Sequence, residues 1–132
     1  NACLIAKNVD AVLFIQIMNS RSVYWSSEVL ALGAPVIKEM GLKVIPTALL
    51  VFEPGRIASF VADVKPLPVE DVRLAKMHAL AGEYLGASLI FLERRGGVPK
   101  NVTEAVKEEV GIEVAAVGEE NEGIADWVVI RK

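Results

Sequence analysis

Residues that could bind a phosphorylated polyol follow several of the strands that the sequence predicts. Arginines beside glycines can bring positive charge and backbone N–H groups to a phosphate, and a carboxylate can accept hydrogen bonds from substrate hydroxyls. The residues concerned are Asn19, Ser20 and Arg21, then Glu53 and Arg56, then Glu93, Arg94, Arg95, Gly96 and Gly97, and finally residues 118–121. Because ligands bind outside the carboxyl ends of parallel strands, these residues predict a site at that edge of a sheet. The alternative interpretation is that Arg94 and Arg95 are solvated loop charges.

Glu93 is the sharpest candidate in this group, because it directly ends a predicted buried strand. A carboxylate at such a position must either reach a ligand or pair with a neighbour. Glu53 begins a predicted turn and is expected to face solvent. Tyr24 and Trp25 either line a channel for a long apolar substrate or anchor the following helix. The sequence contains no Walker loop and no GxGxxG, GxSxG or HExxH motif.

The composition indicates a globular domain and excludes several classes of function. The chain has 132 residues, of which 53% are hydrophobic, and this is enough for a core. Its formal net charge of −3 gives no basic excess for binding nucleic acid. The apolar runs fall short of the roughly 18 residues that a spanning helix needs, so an integral membrane protein is not expected. The single cysteine, Cys3, cannot form an internal disulfide, so a cytoplasmic location is expected.

Strands and helices alternate along the sequence. Nearly continuous apolar runs predict strands at 9–18, 44–52, 88–93, 112–117 and 127–130. Apolar stripes with cap signals predict helices at 26–40, 70–85 and 101–110. Gly33 and Pro35 are expected to kink or split the first helix, and Asn101 with Glu104 predicts a capping box for the third. Residues 53–56 predict a type II turn that returns 57–61 as a short hairpin arm.

This alternation predicts the α/β class, with parallel βαβ units and a sheet covered by helices. Two architectures remain open, a small doubly wound sheet and part of a (β/α)₈ barrel. A whole barrel needs about 200 to 250 residues, so this chain would supply about half of one. Residues 118–126 are too few for a covering helix between the last two strands.

In several blocks the sequence resembles the archaeal geranylgeranylglyceryl phosphate synthases. The blocks are Asn-Ser-Arg-Ser-Val-Tyr-Trp at 19–25, Ala-Leu-Gly-Ala-Pro at 31–35, Ile-Pro at 45–46, Glu-Pro-Gly at 53–55, Ala-Leu-Ala-Gly-Glu-Tyr-Leu-Gly at 79–86 and Phe-Leu-Glu at 91–93. The resemblance covers roughly residues 9–99. It implies a modified TIM barrel and a prenyltransferase that joins sn-glycerol-1-phosphate to geranylgeranyl diphosphate in archaeal ether-lipid biosynthesis. It also implies Mg²⁺, which assists departure of the diphosphate.

The resemblance assigns roles to the segment that ends the third predicted strand. Residues 91–97 stand where the family has Tyr-Leu-Glu-Ala-Gly-Ser-Gly, which binds glycerol phosphate, and Glu93 is expected on the glycerol hydroxyls as the catalytic residue. Phe91 replaces the tyrosine, and Arg94, Arg95 and Gly96 replace Ala-Gly-Ser. The implied substrate-binding residues are Phe91, Leu92, Glu93, Arg94, Arg95, Gly96, Gly97, Asn19, Ser20, Arg21 and Tyr24.

Two features of the family have no counterpart in this sequence. The family's first strands carry an aspartate that helps to bind Mg²⁺, and a glycine-rich phosphate loop follows its seventh strand. We therefore expect residues 1–132 to form a single domain that corresponds to the barrel from about its fourth strand onward. The main hypothesis is such a prenyltransferase, with a homo-oligomer expected. The alternatives are a non-catalytic half-barrel that completes its sheet by oligomerisation or with a partner chain, and a different phosphate-binding enzyme on the same scaffold.

Overall fold

A computed structural model of the chain describes residues 9–131 and contains a five-stranded sheet flanked by helices. Every neighbouring pair of strands is parallel, and the strands lie in sequence order. The strands are β1 (Ala11–Ile17), β2 (Lys43–Val51), β3 (Leu89–Glu93), β4 (Glu113–Val117) and β5 (Trp127–Val129). The helices are a π-helical turn (Tyr24–Glu28), α1 (Val29–Glu39), α2 (Ile57–Val61), α3 (Val72–Tyr84), α4 (Lys100–Glu109) and a 3₁₀ turn (Glu119–Asn121). The predicted α/β class and parallel sheet are confirmed, and Cys3 lies outside the described residues.

One face of the sheet carries the main core, because α3 and α4 pack on it. Alternate residues of β2, β3 and β4 enter this core together with small residues of α3 and valines of α4. The buried members from these elements are Ala48, Leu50, Ile90, Leu92, Val114, Ala116, Ala75, Ala79, Val102 and Val106. Asp71 begins α3, as predicted, since its side chain accepts a hydrogen bond from the Arg73 backbone N–H.

The opposite face of the sheet, here called the open face, is apolar and only partly covered. At its amino-terminal end, residues from all five strands line a pocket of about 540 Å³. Leu13 is 42% exposed and Trp127 is 59% exposed on this face. At the carboxyl end, Val51 packs with Ala62 and Val64, which follow α2, and with Trp25. The segment around α2 therefore covers the carboxyl end of the open face, where the candidate site lies.

Strands β4 and β5 are parallel although no α-helix connects them. The connection contains the 3₁₀ turn, and Asn121 is fully buried there, with its side-chain N–H groups donating to the Val98 and Val117 carbonyls. Asp126 then joins the connection to α4 and β4. Its Oδ2 accepts hydrogen bonds from Lys107 Nζ at 2.7 Å and from the Val114 backbone N–H at 2.8 Å. Polar contacts thus fix this connection, in place of the packed helix that usually joins two parallel strands.

The structure corrects the prediction for residues 53–61. Residues 57–61 form helix α2 instead of a hairpin arm, and residues 53–54 form a bend with a cis peptide bond instead of a hydrogen-bonded turn. A returning strand has no edge to pair with, because β1 and β3 occupy both edges of β2. The Ser59 hydroxyl accepts a hydrogen bond from the Arg56 N–H, which supports a helix start at this point.

The predicted split of the first helix and the predicted cap of the third helix are wrong. Helix α1 continues through Gly33 and Pro35 without a break. Ala31, four residues before Pro35, is exposed, so water can bond to the carbonyl that has no N–H partner at Pro35. Helix α4 begins at Lys100 with Pro99 before it, so Asn101 lies inside the helix and does not cap it. Proline suits a helix start because its backbone angle is already fixed near the helical value.

The close contact between α3 and β2 is testable at Gly82. A Cβ atom on Gly82 would lie 2.5 Å from the Ala48 Cβ, so Gly82→Ala should push α3 off the sheet and lower the free energy of unfolding by about 1 to 3 kcal/mol. Gly33→Ala is the matched control, because nothing beyond its chain neighbours and the backbone of its own helix lies within 4 Å of its added Cβ. Urea unfolding followed by circular dichroism measures both variants. Equal destabilisation by the two substitutions would contradict this packing.

Asp126 predicts a pH-dependent contribution to stability. The hydrogen bond from Lys107 is the largest cause that holds the pKa of Asp126 below its ordinary value of 3.8, and the Val114 N–H adds to it. Because the pKa is lower in the folded state, the ionised carboxylate stabilises the fold above about pH 4, and this contribution disappears as the pH falls through the folded pKa. Asp126→Asn should therefore cost about 1 kcal/mol at pH 7, since the carboxylate is partly screened by solvent.

Urea unfolding of the Asp126→Asn variant at pH 7 and at pH 3 checks this linkage. The difference from the unsubstituted protein should shrink at pH 3. Glu108→Gln is the control, because Glu108 is exposed on α4. An unchanged difference at the two pH values would show that the charge of Asp126 is not the source of the stabilisation.

Candidate functional site

Glu93 lies in a pocket of about 210 Å³ at the carboxyl end of the open face. Its carboxylate contacts two guanidinium groups, one at each oxygen. Oε1 is 3.9 Å from Arg56 Nε, and Oε2 accepts a hydrogen bond from Arg131 Nη2. Only 14% of the Glu93 side chain is exposed, whereas Arg56 and Arg131 are about 40% exposed. The pocket therefore contains a nearly buried carboxylate with two accessible cations around it.

The parallel sheet positions these three side chains. Glu93 is paired with Val51 in register, and Phe91 lies two residues earlier on the same face. Arg56 comes from the loop between β2 and α2, and Arg131 follows β5 on the same side as Trp127 and Val129. The remaining lining residues are Ile15, Ile17, Leu49, Val51, Ala58, Ser59, Val64 and Phe91. Apolar walls thus surround the charged end of the pocket.

The charges of this pocket suit an anion that also carries hydroxyl groups. Two guanidinium groups and one carboxylate leave a formal charge of +1. Each guanidinium has five N–H donors in a planar fork that matches the oxygens of phosphate. The carboxylate can only accept hydrogen bonds when it is ionised, so substrate hydroxyls are its natural partners.

The residues that follow Glu93 play a different part in the structure. The Arg94 guanidinium donates to the backbone carbonyl oxygens of Glu53 and Gly97, at 2.5 and 2.9 Å. It therefore ties the loop after β2 to the loop after β3. Arg95 is exposed, and Gly96 and Gly97 both have positive φ angles that favour glycine. Leu92 is fully buried and faces the core under α3 and α4, not the pocket.

Gly97 and Gly118 form a glycine cradle that holds the side chain of Glu120. A Cβ atom on Gly97 would lie 2.1 Å from Glu120 Oε1, and one on Gly118 would lie 2.5 Å from Oε2. The carboxylate therefore lies directly against the backbone of both loops. Any anion that approached this cradle would meet the negative charge of Glu120.

The residues that follow β1 do not reach the Glu93 pocket. The Asn19 side-chain amide donates to the carbonyls of Val51 and Lys65, at 2.9 and 2.8 Å, and its oxygen accepts from the Val51 N–H. The Ser20 hydroxyl donates to the Ala62 carbonyl at 2.6 Å. These contacts attach the loop after β1 to β2 and to the segment after α2.

Arg21 and Tyr24 also lie away from the Glu93 pocket. Arg21 forms an exposed ion pair with Asp63 at 2.8 Å. With Asn19 and Ser20 it lines a separate pocket of about 320 Å³. Tyr24 meets the ring of Trp25 edge-on, with the centroids 5.1 Å apart. Of the sequence-predicted residues, Phe91 and Arg56 therefore share the pocket of Glu93, whereas Asn19, Ser20 and Arg21 lie together in the other pocket.

Arg131 is the residue of this pocket that the sequence analysis did not identify. Side-chain alternation from Trp127 and Val129 was the available signal, since it puts residue 131 on the same face. Arg56 was among the residues noted after strands. Its contact with Glu93 depends on the path of the loop into α2, which the hairpin prediction misplaced.

The described residues do not fit a magnesium ion. Within residues 9–131 there is no group of three or more His, Cys, Asp or Glu side chains that could hold a metal. The pocket offers a single carboxylate, and two guanidinium groups already neutralise it. A divalent cation at that position would be repelled by both arginines, so no reaction step on these residues is assigned to a metal.

None of the helices in residues 9–131 is both long and apolar enough to cross a bilayer.

Comparison with known proteins places this geometry in context. A family model described as the PcrB family matches residues 1–117. Geranylgeranylglyceryl phosphate synthase of Methanothrix thermoacetophila is 38% identical over 136 aligned residues, covering 100% of this chain and 52% of the relative. The synthase of Methanothermobacter marburgensis is also 38% identical, over 79% of this chain and 42% of the relative. The chain thus spans about half the length of the curated relatives that it matches.

Solved structures agree with these sequence matches. The crystal structure of (S)-3-O-geranylgeranylglyceryl phosphate synthase from Thermoplasma acidophilum, in complex with its substrate sn-glycerol-1-phosphate, superposes with a TM-score of 0.88. It is 28% identical in sequence, and the match covers 97% of this chain and 57% of that one. The enzyme from Thermoplasma volcanium also has a TM-score of 0.88, at 24% identity, and supports the fold alone.

Proposed function

Since this chain belongs to the PcrB family, we propose that it forms the glycerol-phosphate-binding part of a prenyltransferase. The observation that carries the proposal is the nearly buried Glu93 carboxylate between Arg56 and Arg131. The substrates would be sn-glycerol-1-phosphate and geranylgeranyl diphosphate, and the product an ether lipid precursor. The similarity to a synthase in complex with sn-glycerol-1-phosphate supports the first substrate. The single cysteine agrees with a cytoplasmic location.

Glu93 is the proposed catalytic residue. Its carboxylate accepts hydrogen bonds from the two hydroxyl groups of glycerol phosphate and so orients the attacking oxygen. A bond forms between this oxygen and the allylic carbon of the prenyl donor, while the bond from that carbon to the diphosphate oxygen breaks. The proton of the attacking hydroxyl passes to the Glu93 carboxylate, and the electron pair of the broken bond leaves with the diphosphate.

The other sequence-predicted residues enter the proposal by their positions. Phe91 and the aliphatic residues beside it form the apolar wall of the pocket. The loop after β3 consists of Arg94, Arg95, Gly96 and Gly97. We propose that these residues determine the shape of the loop beside the pocket. The residues after β1 lie at the carboxyl edge of the sheet but outside the Glu93 pocket, and we propose that they stabilise this edge. They are Asn19, Ser20, Arg21 and Tyr24. Leu92 acts through the core, where it fixes the orientation of β3.

Glu93→Gln tests the proposed role directly. The amide keeps the shape of the side chain and can still accept from Arg131, but it cannot take up a proton from the substrate. We expect kcat/KM for ether formation to fall by about 100-fold or more, the range for loss of a general base. Mass spectrometry of the product measures the rate with the purified protein, and Glu108→Gln is the control for loss of one exposed carboxylate. Activity within about twofold of the unsubstituted protein would exclude this role for Glu93.

The alternative candidate is a non-catalytic half-barrel that a second copy of the chain completes. The exposed Leu13 and Trp127 on the open face favour it, because an apolar sheet face of this kind is normally covered. Light scattering on the chain by itself would give twice the monomer mass, and Leu13→Asp would lower that mass to one copy. A stable monomer without the substitution would exclude this alternative.

A further inference from the structure

We infer that Arg56 and Arg131 bind the phosphate group of the substrate by exchanging their contacts with Glu93 for contacts with phosphate. This inference rests on the proposed function and extends it, since it assigns the phosphate-binding residues of this chain. The free protein then holds its binding groups in an internal ion pair. Substrate replaces both sides of that pair at once, with phosphate on the arginines and hydroxyl groups on the carboxylate.

The geometry leaves both guanidinium groups able to take a second anion. Arg56 Nε is 3.9 Å from Glu93 Oε1, which is an ion-pair distance and too long for a hydrogen bond. Arg131 makes one hydrogen bond to Oε2 through Nη2. Each guanidinium therefore keeps most of its five N–H donors for another acceptor. Both side chains are about 40% exposed, so an incoming anion can reach them without unfolding the pocket.

The neighbouring positions at the same edge of the sheet disfavour phosphate. The glycine cradle of Gly97 and Gly118 already contains the Glu120 carboxylate. The 3₁₀ turn that carries Glu120 begins with Glu119, which adds a further negative charge. The Arg94 guanidinium is bonded to two backbone carbonyl oxygens. The glutamates would repel phosphate, and the Arg94 guanidinium is already bonded to backbone carbonyls. Arg56 and Arg131 are therefore the cationic side chains at this edge that can bind phosphate.

The exchange is favourable on charge and on hydrogen-bond geometry. A phosphate monoester carries nearly two negative charges and three terminal oxygens, whereas the carboxylate carries one charge and two oxygens. Two planar guanidinium groups can therefore make more hydrogen bonds to phosphate than to Glu93. The released carboxylate is then free to accept from the hydroxyl groups of the same substrate. Phosphate binding thus prepares Glu93 for the reaction.

Inorganic phosphate is the probe that separates this exchange from catalysis, because it has no carbon-bound hydroxyl groups. We expect isothermal titration calorimetry at pH 8 and low ionic strength to show binding to the unsubstituted protein. Arg56→Gln and Arg131→Gln should each weaken it by about tenfold or more, the effect of one lost charge-assisted hydrogen bond. Glu93→Gln should tighten it several-fold, since the competing internal anion is gone. Arg73→Gln is the control, because Arg73 forms an exposed ion pair on α3 with Asp71.

Far-UV circular dichroism shows whether each variant is folded, and Arg131→Lys provides a second test if Arg131→Gln is not. Lysine keeps the charge but lacks the planar fork of arginine. The affinity of the Arg131→Lys variant for phosphate should therefore lie between those of the unsubstituted protein and the Arg131→Gln variant. Absence of phosphate binding to the unsubstituted protein would overturn the inference. It would also be overturned if Glu93→Gln weakened binding, or if the control Arg73→Gln had the effect expected of Arg131→Gln. Phosphate binding as expected without any ether formation would instead refute the proposed function and leave the inference standing.

Discussion

Side-chain alternation in β3 is the constraint on which the site depends. Ile90 and Leu92 are fully buried in the core under α3 and α4, so Phe91 and Glu93 must face the other side of the sheet. That side meets the loop into α2 and the residue that follows β5, and both supply an arginine to the same carboxylate. A shift of one residue in the pairing of β2 with β3 would move Glu93 into the core and destroy the pocket. The packing of α3 and α4 therefore fixes the chemistry on the opposite face.

The internal ion pair explains how a carboxylate is accommodated at the end of a buried strand and is still available to a ligand. The guanidinium groups of Arg56 and Arg131 offset the cost of removing the Glu93 carboxylate from water. Both groups are exposed enough to exchange Glu93 for another anion. Glu120 has the opposite effect at the neighbouring glycine cradle, where its carboxylate occupies the space that an anion would need. Positive charge is thus concentrated at Arg56 and Arg131, whereas the glycine cradle carries the negative charge of Glu120.

The parallel sheet was predictable from the sequence because its strands are apolar on both faces, and the start of α3 was predictable from Asp71. Helix α2 was not, because nothing local to residues 57–61 shows that both edges of β2 are already paired. Glu93 was found from its place at a strand end, whereas Arg131 meets it only through the order of β3, β4 and β5. Asn19 shows the converse, since its amide is bonded to β2 and the segment after α2, a contact that its place after a strand does not reveal.

A crystal structure of the protein soaked with sn-glycerol-1-phosphate shows whether the substrate replaces the internal ion pair of Glu93. We expect the phosphate between the guanidinium groups of Arg56 and Arg131, and both free hydroxyl groups within hydrogen-bond distance of the Glu93 carboxylate. The Glu93 contacts with the two arginines should be lost in the same crystal. A ligand bound in the pocket of Asn19 and Arg21, or in the Gly97 and Gly118 cradle with Glu120 displaced, would show that Arg56 and Arg131 do not bind the phosphate.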